Sequence, residues 1–362
     1  MFYTNLIYEF LLVFVLSFVF VYNLTPLIIK FAYKINFVDN PNARKVHKKA
    51  IPLLGGLSVF IGFFVLVLSE TLINPAHRAS IGTYGYLFSA LMITVVGLID
   101  DKFGMSPLLK MLLQIVVCLI FIHTNGLYYL FGNIWITTPI IILWMTGLMN
   151  AFNFLDNMDG ILAGMSGILA LAFYAVSFLT KTPSMAHLNN YISLLALAFA
   201  GSVLGFLPHN FNPAKLFLGD AGSMFIGFFL STMGILTGKL AVNTMQNSIY
   251  FLLPILILSY AIFDICLVSI TRKRDGRRVS QGGKDHSTHR IGTAMQSTKL
   301  TAIVVYLLNS IIALTAVIVL KMNSVILLIV STIIFVIGFL FFGRKLDQIP
   351  IVIPENQLKK QV

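Results

Sequence analysis

Long apolar runs separated by short polar ones dominate the chain. They fall at about 6–29, 52–73, 84–99, 107–124, 133–149, 161–180, 189–207, 222–238, 249–271, 300–320 and 324–342. A helix needs about 20 apolar residues to cross the hydrocarbon core of a bilayer. Only helices and closed barrels satisfy their backbone there, and these runs lack the alternation of barrel strands. The pattern therefore predicts an all-α polytopic integral membrane protein with eleven transmembrane helices. The stretch 84–99 is short for a crossing and is expected to borrow loop residues. The first run has no basic residue before it and is too long for a signal-peptide core, so it reads as a retained helix. One membrane domain is expected over 1–343, followed by a polar, Pro-punctuated cytoplasmic tail over 344–362.

Composition agrees. Of 362 residues, 58% are hydrophobic and 10% charged, where a soluble domain would carry about a quarter charged. Cys118 and Cys266 both lie inside apolar runs, which suggests neither a disulfide framework nor a metal site.

The net charge of +12 could in principle serve a nucleic acid, but its distribution explains it otherwise. Numbering the loops between runs, every Lys and Arg except Arg78, Lys181, Lys239 and Lys321 falls in an odd-numbered loop or the tail. Positive residues stay on the cytoplasmic side. The odd loops are therefore expected inside, the N-terminus outside and the C-terminus inside. The expected partner of this charge is the lipid bilayer, with no nucleic acid.

Acidic residues bring in chemistry. Asp100 and Asp101 in GLIDDKFG, Asp156 and Asp159 in NAFNFLDNMDG, and Asp220 in FLGDAGS all fall at inner loops or adjoining helix ends. Carboxylates this close to hydrocarbon are expensive and rarely idle. Any one could be a helix cap, Asp220 before a helix starting near Ala221 being the plainest case. All of them on one face point instead to a shared site. Asp100 and Asp101 diverge by about 100° on a helix, so one can face a metal while the other faces a substrate or a Lys. Asn153, Asp156 and Asp159 are spaced by three and share one stripe. Amide and carboxylate oxygens are the hard ligands Mg²⁺ selects; clustered Cys or His for zinc are missing.

Cationic donors accompany them. Lys110 follows the Asp pair and could offset carboxylate repulsion or hold a phosphate. In TRKRDGRRVSQGGKDHSTHRIG, the stretch Arg272–Arg278 reads as plain inner-loop charge. Lys284, His286, His289 and Arg290, by contrast, gather phosphate-binding donors around Asp285, after Gly282 and Gly283, which let the loop fold inward. The first inner loop, DNPNARKVHKKAIPLLGG, adds Arg44, Lys45 and His47, while Gly55 and Gly56 suit close helix packing. Asn210 and Asn212 precede Asp220 on one loop. Carboxylates around a divalent ion, ringed by cations, suit phosphoryl transfer, here between a lipid and a soluble nucleotide. A phosphate monoester is mostly a dianion at neutral pH, so screening two anions from each other matters more than a base.

At GLIDDKFGMSPLLK, NAFNFLDNMDGILAG and FLGDAGSMFIGF the chain resembles the polyprenyl-phosphate N-acetylhexosamine-1-phosphate transferase family. DNPNARKVHKKAIPLLGG and KDHSTHRIG resemble the family's remaining motifs, and the similarity runs from about Asp39 to Arg290. The resemblance implies Mg²⁺-dependent transfer (Mn²⁺ being the alternative ion) of a sugar 1-phosphate from a UDP-N-acetylhexosamine to undecaprenyl phosphate, releasing UMP, at the cytoplasmic face of the plasma membrane. It implies Asp100 or Asp101 as the residue that orients or deprotonates the lipid phosphate. Asp220 matches the metal-binding Asp, Asn153 and Asp156 match nucleotide or metal contacts, and His286 and His289 match the diphosphate-binding motif. The expected metal set is Asp101, Asp156 and Asp220, with Asp159, Asn210, Arg290, Arg44, Lys45, His47 and Lys110 around the substrates. A homodimer is compatible with this plan. Thr288 stands where relatives often carry a middle His. The eleven-span plan is closer to the N-acetylglucosamine branch, first membrane step of surface polymers such as teichoic acids. The phospho-N-acetylmuramoyl-pentapeptide branch is the alternative, but its contiguous His triplet is missing. An ion-coupled transporter is the rival of another class; its site would lie near the midplane on broken helices, whereas these carboxylates gather at one interface. An inert scaffold would leave them unexplained, and the compact Asp pattern of a CDP-alcohol enzyme is not seen.

Overall fold

The computed structural model describes residues 2–40, 49–73, 81–180, 182–279 and 283–351, with side chains from Leu11 onward and without that of Ile81. Arg44, Lys45, His47 and Gly282 lie outside the described residues. Among the described residues, ten helices are long and apolar enough to cross a membrane: α1 (Phe2–Lys34), α2 (Gly55–Ile73), α3 (Ile81–Phe103), α4 (Pro107–Thr124), α5 (Ile134–Leu155), α6 (Ile161–Leu179), α7 (Ala186–Asn210), α8 (Gly219–Met245), α12 (Thr298–Lys321) and α13 (Val325–Asp347). The expected ninth span is a broken one. A 3-10 turn at Ser248–Phe251 and α9 (Leu252–Ile257) meet α10 (Ser259–Arg274) at 69°. Counting that pair as one span gives the eleven expected. Between α10 and α12 lies one short polar helix, α11 (Ser287–Met295).

α8 is the axis of the bundle. It is buried along nearly its whole length and packs against α2, α3, α5 and α6. α1 runs along α7, and α12 covers α6. α13 lies on the outside of the bundle, with most of its apolar side chains exposed. Phe63, Phe199, Phe225 and Phe229 fill the middle, with Phe199 and Phe229 stacked at 3.7 Å. Backbones meet where side chains are absent: a Cβ on Gly56 would stand 2.1 Å from the Gly222 nitrogen. Close approach of this kind is what small residues permit in membrane helices.

A two-stranded antiparallel ribbon, β1 (Val38–Asp39) and β2 (Ile51–Pro52), pairs Val38 with Pro52 and Asp39 with Ile51. It pins the loop ahead of α8, because Phe217 N–H donates to Pro52 O at 2.9 Å and Gly55 N–H returns to Phe217 O at 2.9 Å. Two ends differ from the sequence-based expectation. α3 runs to Phe103, so Asp100 and Asp101 belong to its last turn, as the expected borrowing of loop residues requires. α13 runs to Asp347, past the expected boundary at 343, because Arg274 and Arg290 pair with Asp347 and Arg290 also donates to Leu346 O at 2.9 Å.

Candidate active site

Three helix ends meet at one end of the bundle. The last turn of α3 brings Asp100 and Asp101, the C-terminus of α5 brings Asn153 and Asp156, and the first turn of α8 brings Asp220. α4 opens beside them. Ser106 caps it, its hydroxyl accepting Leu109 N–H at 3.3 Å, and Pro107 at the first helical position places Lys110 in the first turn.

Lys110 is the hub. Its ammonium lies 2.8 Å from Asp100 Oδ2, 3.3 Å from Asp220 Oδ2 and 3.4 Å from Asn153 Oδ1. Asp100 Oδ1 also accepts Met105 N–H at 2.7 Å. Asn153 Nδ2 donates to Asp220 Oδ1 and, at 2.8 Å, to the Ser223 hydroxyl. Asp220 is the more open carboxylate, its side chain 33% exposed against 9% for Asp100. The ammonium thus stands between two carboxylates, where its charge offsets their repulsion.

Asp101 takes the place a cap would hold. Its oxygens accept the backbone N–H groups of Asp220 and Ala221, so Asp101 rather than Asp220 caps α8. Gly219 makes the approach practicable: its φ is +73°, and a Cβ there would stand 2.7 Å from Asp101 Oδ2.

Asp156 differs from its neighbours. It ends α5, half-buried, and among the described residues its carboxylate accepts no hydrogen bond. Burial, and then the charges of Asp220, Asp101 and Asp159, push its pKa well above the usual carboxylate range. An unpaired acid facing other acids is a place where a cation lowers the energy.

Asp159 and Asn210 both bond to the loop that leads into α8. Asp159 Oδ2 accepts Asn212 Nδ2 at 2.9 Å and Ala214 N–H at 3.0 Å. Buried Asn210 accepts Gly160 N–H at 3.0 Å and donates to Leu216 O at 3.0 Å. Both brace the loop that leads into α8, Asp159 through Oδ2 alone.

The 284–290 segment packs against the acidic turn. The His286 ring lies 5.6 Å from that of Phe154, and Thr288, in the position of the missing middle His, donates to Asn157 Oδ1 at 2.7 Å. The segment is anchored from behind. Arg272, 1% exposed, grips Asp285 with Nε at 2.9 Å and Nη2 at 2.7 Å, and Arg277 adds a contact at 2.8 Å. Burial opposes the Asp285 charge, but Arg272, with Arg277, outweighs it and holds the carboxyl at about 2. Arg290 faces inward, 2% exposed, donating to Asp285 O at 2.9 Å and to Leu346 O. The anion-donor role expected for Arg290 is corrected on this ground: its guanidinium fastens α11 to α13. Lys284 is exposed and His289 half-buried. Burial, the largest cause, and the charge of Lys284 hold His289 down at about 4, so its imidazole is neutral at neutral pH.

Sequence reasoning misses Asp264, Arg272 and Asn157. Asp264 leaves a signal, a carboxylate inside the apolar run IFDICLVS. Arg272 is hidden among neighbouring basic residues, and Asn157 among polar turn residues.

Fold and site together define a polytopic membrane enzyme with an acidic, lysine-screened centre at one end of a helix bundle. The model of Glycosyl transferase family 4 matches residues 83–238, which span all three acidic segments. Over 311 residues, 83% of this chain and 82% of the relative, the chain is 33% identical to a probable undecaprenyl-phosphate N-acetylglucosaminyl 1-phosphate transferase of Bacillus subtilis. It is 30% identical over 305 residues to a decaprenyl-phosphate N-acetylglucosaminephosphotransferase of Mycobacterium tuberculosis, covering 78% of this chain and 75% of the relative. A Salmonella typhimurium undecaprenyl-phosphate alpha-N-acetylglucosaminyl 1-phosphate transferase is 28% identical over 301 residues, 78% of this chain and 77% of its own. The chain belongs to this family of polyprenyl-phosphate N-acetylhexosamine-1-phosphate transferases.

Proposed function

We propose that this protein transfers N-acetylglucosamine 1-phosphate from UDP-N-acetylglucosamine to undecaprenyl phosphate and releases UMP, with its site facing the cytoplasm. The observation that carries the reading is the meeting of Asp100, Asp220 and Asn153 on the Lys110 ammonium beside the unpaired carboxylate of Asp156. The names of the relatives support the acceptor class and the sugar, and the charge asymmetry of the loops supports the cytoplasmic side.

In this reading an oxygen of the lipid phosphate attacks the sugar-bearing phosphorus of the UDP-sugar. The bond from that phosphorus to the bridging oxygen breaks, and UMP departs with that oxygen. Charge balances without a proton transfer when the acceptor is a dianion, as its second pKa near 6 allows. Lys110 holds Asp100 and Asp220 together against their repulsion. Asp101, with both oxygens on the α8 backbone, fixes where Asp220 stands. Neutral His289 and exposed Lys284 supply donors at the opposite wall.

Asp156 and Asp220 fit a divalent ion. Among the described residues no group of three or more His, Cys, Asp or Glu forms a ready-made cage, and Mg²⁺ usually takes one or two carboxylates and completes its shell with water and substrate phosphates. When bound there it would neutralise the charge of the diphosphate oxygens.

The test is purified protein in detergent with undecaprenyl phosphate, Mg²⁺ and radiolabelled UDP-N-acetylglucosamine, UDP-N-acetylgalactosamine or UDP-N-acetylmuramoyl-pentapeptide. Lipid-linked product with the first donor, accompanied by equal UMP, is expected. No product, or release of UDP, overturns the reading.

A further inference from the structure

Asp264 is fully buried within α10, the second half of the broken span, among residues that face lipid or protein. A carboxylate there is costly unless its acceptors are used, and all of its bonds go to one place. Oδ1 accepts the Ser287 backbone N–H at 2.7 Å and its hydroxyl at 2.6 Å, and Oδ2 lies 2.8 Å from His286 Nδ1. The Tyr260 hydroxyl, 2.9 Å from that of Ser287, closes the group.

The other ring nitrogen fixes the proton. His286 Nε2 lies 3.4 Å from Arg272 Nη2. A guanidinium can only donate and a carboxylate only accept. His286 therefore carries its proton on Nδ1 and accepts on Nε2. Both nitrogens are used inside the protein, so His286 is not the imidazole offered to an anion; that place is left to His289, one helical turn on. The first turn of α11 is thus held from behind by Asp264 and in front by Asn157, which receives the Thr288 hydroxyl.

We propose that Asp264 is a positioning residue: by fixing the His286 tautomer and capping α11 it sets His289 against the turn that carries Asp156. The proposal rests on the transferase reading for its effect on turnover, while the tautomer itself does not depend on that reading.

Asp264→Asn separates the two roles. The amide oxygen can still accept from Ser287, but the amide N–H₂ then faces His286 Nδ1. The proton must move to Nε2, where it meets the Arg272 donor. The reverse amide orientation sets N–H₂ against the Ser287 N–H. Selective ¹⁵N-histidine NMR of the detergent-solubilised protein, with His286→Gln to identify the signal, reads the tautomer directly. The Nδ1-protonated form is expected in the wild type and its loss in Asp264→Asn; an unchanged signal overturns the proposal. In the transfer assay, Asp264→Asn is expected to lower kcat/KM by about tenfold to a hundredfold, by analogy with the loss of a carboxylate that orients a metal-bound His. In the His286→Gln background the same change is expected to add less than about twofold, because residues acting as one unit do not add. Losses that multiply independently overturn the proposal. Wild-type protein that forms no lipid product removes the transferase reading and with it the effect on turnover, whatever the NMR signal shows.

Discussion

Asp101 caps the helix that Asp220 opens: its two oxygens accept the backbone N–H groups of Asp220 at 2.8 Å and Ala221 at 3.0 Å. One acidic residue thus fixes the backbone from which another projects. Asp101→Asn leaves one acceptor and turns a donor on the second N–H. Loss of a helix cap costs about 0.5–2 kcal/mol. A lower thermal midpoint and loss of most product are expected, measured by melting in detergent and by the transfer assay. Full activity would show that the placement of Asp220 does not depend on Asp101.

Asp220→Asn is expected to abolish product while leaving membrane insertion and melting nearly unchanged, since the side chain is partly open and its backbone contacts remain. Lys110→Met leaves Asp100 and Asp220 unscreened and is expected to reduce turnover by more than about a hundredfold, the range of lost charge stabilisation in active sites. Turnover close to wild type in either variant contradicts the site.

Chelation by EDTA is expected to silence the enzyme, and added Mg²⁺ to restore it. The pH dependence follows from Asp156, whose pKa lies well above the usual carboxylate range because of burial and then Asp220, Asp101 and Asp159. The folded chain holds a proton that the unfolded chain releases, so this group lowers stability as pH rises from the ordinary carboxylate value to the raised one. A metal ion competes with that proton. Apparent Mg²⁺ affinity is therefore expected to increase with pH, and Asp156→Asn to weaken and flatten it. A flat wild-type curve argues against Asp156 as a ligand. His289, held at about 4, contributes no inflection to the rate near neutral pH; stability at this position is lost only as pH falls from about 6.5, the ordinary imidazole value, toward about 4.

Gly219→Ala forces a side chain into a left-handed φ of +73° and against Asp101 Oδ2. The backbone cost alone is about 1–2 kcal/mol. Product formation is expected to fall far more than expression, read by the transfer assay against protein recovered from membranes. An active, fully stable variant would show that the junction has slack.

A chain ending at residue 351 keeps Asp347 and is expected to retain activity, whereas one ending at residue 343 loses the partner of Arg274 and Arg290 and is expected to lose much of it. Equal activity of the two truncations would dissociate α11 from α13.

The spans and the acidic segments are legible in the amino-acid sequence because charge is so scarce here that each Asp at a helix end carries information. Gly55 and Gly56 are readable as packing residues for the same reason. What escapes is partnership. Asp159, Asn210 and Arg290 have the residue types of ligands, but spacing cannot tell a free oxygen or guanidinium from one tied to a loop. Arg272 and Asp285 find each other across a turn, so neither looks special. Asp264 is visible as an intramembrane acid, yet its role depends on His286, which only the fold brings beside it. Arg344 and Lys345 read as tail in the sequence, while α13 continues through them to Asp347, which Arg274 and Arg290 hold.

Asp220 stands in the first turn of a helix 27 residues long. Aligned peptide dipoles place about half an elementary positive charge at such an end. Asp101 and Asp220 meet that field first, so the main chain itself helps to hold two carboxylates side by side, a support that no single side-chain substitution removes.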